Sequence, residues 1–283
     1  MEYVTLNNGI TMPKLGFGVF QVEDALLCRQ SVGEALATGY RLFDTAAVYL
    51  NEQAVGEAIR ESGVARDDCF VTSKVWIQDM GYEATLKAFD RTLQRLAMDY
   101  LDLYLIHMPF GDVFGTWRAM EKIYAEGRVR AIGVCNFRIP RLADLMSHFE
   151  VVPAVNQVET HIFNQQKAMN RYAIAHGIHV EAWSPFAEGQ RGFFTHPVLV
   201  AIGQKYGRTP AQVALRWLMQ RDIIVIPKSV HAFRIRENFM VTDFTLSVED
   251  MAQIEALDMA VPVVGDFDDP DFVTDLCSRK YDL

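Results

Sequence analysis

The stretch FDTAAVYLNE, residues 43–52, stops an apolar approach on Asp44 and brings Tyr49 five residues later. Lys74 follows in VTSKVW, and His107 in LDLYLIHMP. A carboxylate, a phenol, an ammonium and an imidazole can together make a tuned proton donor. A phenol of pKa ~10 donates poorly near neutrality unless its phenolate is stabilised. An adjacent ammonium lowers that pKa, and a carboxylate held against the ammonium keeps it charged and oriented. The imidazole can then hydrogen-bond a carbonyl oxygen and fix its orientation, while Tyr49 delivers a proton to that oxygen as the carbon accepts a nucleophile. Singly, each residue has a simpler role: Asp44 caps a turn, Lys74 is solvated, Tyr49 packs half-buried, His107 is a satisfied histidine at a strand end. The chemistry arises only if the fold collects all four.

The elements that must collect them are legible as an alternation. After VTLNNGITMP, which reads as a hairpin turning at Asn8-Gly9, strand-like and helix-like segments alternate to about residue 240. The strand candidates are Leu15 to Gly18, Leu42 to Asp44, Cys69 to Ser73, Leu101 to His107, Ala131 to Cys135, Val155 to Gln157, His179 to Ala182 and Ile223 to Ile226. Helical periodicity marks Ala25 to Ala37, Tyr82 to Leu96, Val113 to Ala125 and Pro210 to Met219, with Pro210 suited to a first turn behind Thr209. Eight short apolar strands without a linker or composition break predict a closed (β/α)8 TIM barrel spanning residues 1–283 as one domain, with an open doubly wound sheet as the alternative. Catalytic groups of such barrels gather where the βα loops converge over the C-terminal strand ends. Asp44 ends the second strand, Lys74 follows the third, and His107 ends the fourth. From Val261 onward periodicity is lost, and the segment reads as a tail over the barrel mouth. LGFGVF holds a Gly-x-Gly, but the third glycine of a dinucleotide turn is missing, so the two glycines read as relief of crowding at the barrel rim.

The formal charge of -9, with both signs spread along the chain, argues against nucleic acid or an anionic membrane as the main partner. No apolar stretch approaches the ~20 residues that span a bilayer, and no signal peptide is evident, so the expectation is a cytoplasmic protein. Its four cysteines, Cys28, Cys69, Cys135 and Cys277, are scattered and without metal-ligand spacing, which predicts reduced thiols and no metal. A monomer is expected, with a dimer as the alternative.

Over essentially its whole length the chain resembles the aldo-keto reductase family, in particular its bacterial diketogluconate and glyoxal reductases. FDTAAVYLNE, VTSKVW, LDLYLIHMP, and IPKSV followed by RIRENF carry the likeness. It implies a catalytic tetrad of Asp44, Tyr49, Lys74 and His107. It implies hydride transfer between NADPH/NADP+ and an aldehyde or ketone such as a small dicarbonyl, a keto sugar or an aromatic aldehyde. In GVCNF, VNQVE and AWSPF, the nicotinamide would meet Asn136, Gln157 and the ring of Trp183, and the diphosphate would pass Ser184 and Phe186. Lys228, Ser229, Arg234 and Asn238 match the binders of the adenosine end. Val19, Phe20, Trp76, His107 and Phe110, with Phe267 or Phe272 from the tail, are expected to wall an apolar substrate funnel. The chain departs from the family pattern at Met108, Cys135, Trp183 and His231, none of them in the tetrad. Two other readings stand beside hydride transfer: a non-catalytic NADPH-binding or sensing barrel, and a lyase using Lys74 as a Schiff-base amine, which needs that lysine neutral.

Overall fold

The computed structural model describes residues 1–283. Two short strands, β1 (Tyr3–Thr5) and β2 (Thr11–Pro13), form the hairpin at Asn8-Gly9. The chain then runs β3 (Phe17–Gly18), α1 (Ala25–Thr38), β4 (Leu42–Asp44), α2 (Glu52–Glu61), β5 (Phe70–Val75), α3 (Tyr82–Leu96), β6 (Leu101–Ile106) and α4 (Val113–Ala125). It continues through β7 (Val129–Cys135), α5 (Ile139–His148), β8 (Val155–Glu159), α6 (Lys167–Ala175), β9 (His179–Trp183), α7 (Pro197–Tyr206), α8 (Pro210–Gln220) and β10 (Ile224–Val225). Three further helices end it: α9 (Ala232–Phe239), α10 (Val248–Glu255) and α11 (Pro270–Ser278). All neighbours from β3 to β10 pair in parallel and in sequence order, and a bridge from Leu15 to Val225 joins the first strand to the last. The sheet is therefore a (β/α)8 barrel rather than an open sheet.

Side-chain alternation divides the apolar residues into two cores. Leu42, Phe70, Leu103, Leu105, Ala131, Val155 and Ile224 point inward and pack with Val4, Leu6 and Met12 of the hairpin, which plugs one end of the barrel. Their strand neighbours Phe43, Val71, Tyr104, Ile132 and Val180 pack outward against the helices in a larger cluster. Gly133 lies where an added Cβ would come within 2.6 Å of the Val155 carbonyl oxygen and 2.8 Å of Leu105, so the interior admits no side chain there. At the closing seam a Cβ on Gly16 would meet Leu42 at 2.5 Å, which is why the Gly-x-Gly of LGFGVF belongs to the barrel rim.

The same alternation places the polar residues. Moving two residues at a time toward the C-terminal strand ends leads from Leu42 to Asp44, from Phe70 through Thr72 to Lys74, from Leu103 and Leu105 to His107, and from Val155 to Gln157. The barrel thus has an apolar floor and a polar upper layer. The tail contains a helix that loss of periodicity concealed, with Asp269 as its N-cap and Pro270 in its first turn. Of its residues only Leu276 is buried, so it has no apolar stripe to read. The tail is tied down at three points. Glu159 accepts from the Val263 and Val264 amides, Arg138 pairs with Asp266 and Asp268, and the Gln78 side chain exchanges two 2.9 Å hydrogen bonds with the Tyr281 backbone.

Candidate active site

Lys74 is wholly buried, and its ammonium is fully engaged. Nζ donates to Asp44 Oδ1 at 2.6 Å and to the Thr45 carbonyl at 2.8 Å, and lies 3.5 Å from the Tyr49 hydroxyl. Burial opposes the charge, but Asp44 and Tyr49 outweigh it and hold the Lys74 pKa above its ordinary value. The ammonium therefore stays charged. Tyr49 reaches it from a short turn that follows β4, in which Leu50 takes a left-handed conformation at φ 56°. The Tyr49 ring lies edge-on to His107, with centroids 5.6 Å apart, and 5.0 Å from Phe20.

Lys74 does pull the Tyr49 pKa down, as expected, but it does not set the net value. Burial is the largest influence and raises it, Lys74 works in the opposite direction, Asp44 adds to the rise, and the net result is a phenol held above its ordinary value. The hydroxyl thus keeps its proton. His107 is neutral: burial first, and then the Lys74 charge, hold its pKa well below 6.5. Its Nδ1 is buried without a hydrogen-bond partner.

The remaining expected residues fall into three groups. Asn136, left-handed at φ 62°, donates from Nδ2 to the His107 carbonyl at 3.1 Å and accepts at Oδ1 from Trp183 Nε1 at 3.0 Å, so β6, β7 and β9 are cross-linked at the mouth. Gln157 has its amide nitrogen committed to Asp44 Oδ2 and to Glu181 Oε2, both at 2.8 Å, while its oxygen faces the Cys135 thiol at 3.9 Å. Ser184 is left-handed at φ 51°, with a buried Oγ lacking a partner, and the Phe186 ring packs edge-on against Phe193.

Past the C-terminal end of β10, Lys228 and Arg234 are exposed and take part in no ion pair, whereas neighbouring Arg236 is held by Glu34 at 2.6 Å. Ser229 and Asn238 are buried beside them, and Ser229 Oγ accepts from the His231 amide at 3.1 Å.

Among the expected pocket residues, Trp76 is buried but belongs to neither apolar core. It lies edge-on to His107 at 5.1 Å on one side and to Tyr281 at 5.8 Å on the other. Phe20 is exposed beside Tyr49, and Phe110 faces Phe267 at 6.2 Å. Val19 is instead packed in the outer core, with its carbonyl accepting from Asn51, and has no side-chain surface at the mouth. Phe272 stands behind Phe267 at 5.7 Å. A cavity of about 550 Å³ opens beside Asn136, between Arg138, Glu159, Lys167 and Phe267. Its two cations are already paired, Arg138 with the tail and Lys167 with Glu255 and Asp258.

Two features went unread in the sequence. Tyr281, near the C-terminus, is the tail residue that meets Trp76. Glu181 is fully buried in β9, where a single acid in the apolar run HVEAW, two residues before Trp183, was the available signal. Burial and Asp44 raise its pKa to about 8, so it carries a proton at neutrality.

A (β/α)8 barrel whose mouth holds an acid-anchored lysine, a phenol and a neutral histidine is equipped for proton transfer to and from a small substrate. The match of residues 14–259 to the aldo/keto reductase family model makes the relation explicit, and the chain belongs to that family of oxidoreductases. It is 50% identical over 257 residues to the glyoxal reductase of Bacillus subtilis, covering 90% of this chain and 92% of that one. It is 42% identical over 260 residues to the methylglyoxal reductase DkgA of Yersinia pestis, with 90% and 92% covered. Among solved structures, the Bombyx mori aldo-keto reductase in complex with NADP superposes with a TM-score of 0.90 at 34% identity, covering 96% of this chain and 97% of that one.

Proposed function

We propose that the protein is an NADPH-dependent reductase that converts small aldehydes and ketones to alcohols, with Tyr49 as the general acid. The observation that carries this reading is the buried Lys74 ammonium, locked to Asp44 and 3.5 Å from the Tyr49 hydroxyl, beside a neutral His107. Support for a dicarbonyl substrate comes from the activities named for the B. subtilis and Y. pestis relatives, and support for the cofactor from the ligand of the B. mori structure. Trp76, Phe20 and Phe110 supply apolar walls suited to a small carbonyl compound.

The residues present fit a phosphorylated dinucleotide. Lys228 and Arg234 are cations without partners, and Ser184 Oγ is a buried hydroxyl without one. Lys228, Ser229, Arg234 and Asn238 would hold the adenosine end, Ser184 and Phe186 the diphosphate, and Asn136, Gln157 and Trp183 the nicotinamide end. When bound, the reduced nicotinamide supplies the hydride.

The chain's own groups do the rest. His107 orients the carbonyl oxygen without contending for the proton, because it is neutral. Tyr49 keeps its proton until that oxygen becomes an alkoxide, a stronger base than any phenolate, and then gives it up. Lys74 stabilises the phenolate left behind, and Asp44 keeps Lys74 in place. A charged Lys74 also disfavours the Schiff-base lyase, and an assembled tetrad has no use in a mere sensor.

Tyr49→Phe keeps the ring and removes the hydroxyl. It should lower kcat for methylglyoxal reduction by ~10² to 10⁴, with NADPH binding retained. Near-normal turnover of several aldehydes by this variant would overturn the reading.

A further inference from the structure

The tetrad leaves one buried acid in the barrel without a role. Glu181 has every inward neighbour defined. From β8, Gln157 Nε2 donates to Glu181 Oε2 and to Asp44 Oδ2, at 2.8 Å each, so one amide nitrogen bridges two carboxyl groups. From β4 and β5 come the charges of Asp44 and Lys74, and from β7 the Cys135 thiol, which burial keeps protonated. From β10 the register partner is Ile224, which is apolar. Glu181 Oε1 is buried with no partner at all. The one ammonium in reach is spent on Asp44 and the Thr45 carbonyl. Two carboxylates sharing one amide and one cation inside a closed barrel cannot both stay ionised without a large desolvation penalty. Asp44 holds the lysine, so Glu181 is the member that keeps a proton.

We propose that protonated Glu181 is a positioning residue of the tetrad: through the Gln157 amide it holds Asp44 against Lys74, and its ionisation places a second negative charge on the network that suppresses proton donation by Tyr49. The inference rests on the reading of Tyr49 as proton donor. A carboxylate formed at Glu181 acts on Lys74 and Tyr49 in the same sense as Asp44 does, raising the phenol further. The proton it loses goes to solvent, and Glu181 exchanges none with substrate. Because burial and Asp44 lift its pKa toward 8, the ionisation falls within the range of an ordinary assay.

The test compares wild type with E181Q, which carries no ionisable proton, and with E181A, which leaves the Gln157 N–H without its second acceptor. For wild type, kcat for methylglyoxal reduction with NADPH should fall about threefold to tenfold between about pH 6.5 and pH 9, and this step should be absent in E181Q. E181A should lower kcat at every pH. Infrared difference spectra of wild type should show a protonated carboxylic acid band that fades over the same pH range and is missing from E181Q. An alkaline step identical in wild type and E181Q, or a wild type without the acid band near neutrality, would overturn the proposal. The infrared result tests the proton on Glu181 whether or not Tyr49 is the donor, whereas an active Tyr49→Phe would overturn the proton-donor reading and with it the effect on Tyr49, leaving only the protonated acid.

Discussion

Lys74→Met should destabilise the barrel by an amount that depends on pH with a definite sign. The substitution removes the ammonium but keeps an unbranched apolar chain of similar length. It leaves the Asp44 carboxylate, buried to 2% exposure, with only the Gln157 N–H to accept. Removing one partner of a buried pair costs about 3 to 5 kcal/mol. The penalty has a ceiling, because Asp44 can escape it by taking up a proton. From a reference carboxyl value of about 3.9, that protonation costs about 4 kcal/mol at pH 7 and about 1.5 kcal/mol at pH 5. The Thr45 carbonyl, which loses its donor, adds about 1 to 3 kcal/mol at either pH. Lys74→Met should therefore be destabilised by about 1.5 to 2.5 kcal/mol more at pH 7 than at pH 5. Asp44→Asn leaves the ammonium unpaired instead. Its escape is loss of a proton, so its penalty should shrink as pH rises. The double variant carries neither charge and should lose far less than the two single losses combined. Urea denaturation of the four proteins at both pH values, without cofactor, measures all of this. Equal pH slopes for the two single variants, or additive losses, would refute the ion-pair argument.

Three other outcomes follow from the same geometry. Trp76→Ala should change the order of preference among aldehydes by steady-state kinetics while NADPH affinity stays nearly unchanged; a calorimetric collapse of the size expected for a core tryptophan, about 3 to 5 kcal/mol, would assign the ring to packing instead. Lys228→Met and Arg234→Met should each weaken NADPH tenfold or more, on the scale of ~1.5 to 3 kcal/mol per charged contact, and NADH much less; equal losses in fluorescence titrations would remove the assigned role. His107 has a folded pKa below its value of 6.5 in the unfolded chain. Its contribution to stability is therefore complete above that pH and is lost as pH falls, by up to about 1.4 kcal/mol per unit, and His107→Gln should flatten the acid side of the urea midpoint profile.

The strands were legible because a strand buried on both faces is a short apolar run between breakers, whatever surrounds it. Leu42–Asp44 was read to the residue, as were helices Tyr82–Leu96 and Val113–Ala125, whose buried residues recur with helical spacing. Boundaries slipped where tertiary pairing decides them. The strand read as Cys69 to Ser73 begins at Phe70 and runs to Val75, because β6 pairs with it through Ile106. The helix at Pro270–Ser278 has a sequence-level start in Asp269-Pro270 but no buried stripe, so only its cap was there to be read.

The site was legible in its parts and not in its balance. Residue types at strand ends identify a cation, an acid and a phenol, and the sign of each pairwise influence follows from charge alone. Which influence prevails depends on how far the closed barrel removes water from the phenol, and no local stretch of sequence encodes that. Lys74 does pull the Tyr49 pKa down, but the burial created by strands distant in sequence pulls harder. Gln157 makes the same point, because its partners are Asp44, 113 residues away, and Glu181 on the adjacent strand. The motif shows only an amide; the barrel commits its nitrogen to two acids. The proposed tetrad, set in a desolvated barrel, therefore depends on neutral groups as much as charged ones. An uncharged His107 and a protonated Glu181 leave the single Asp44–Lys74 pair as the field that acts on Tyr49.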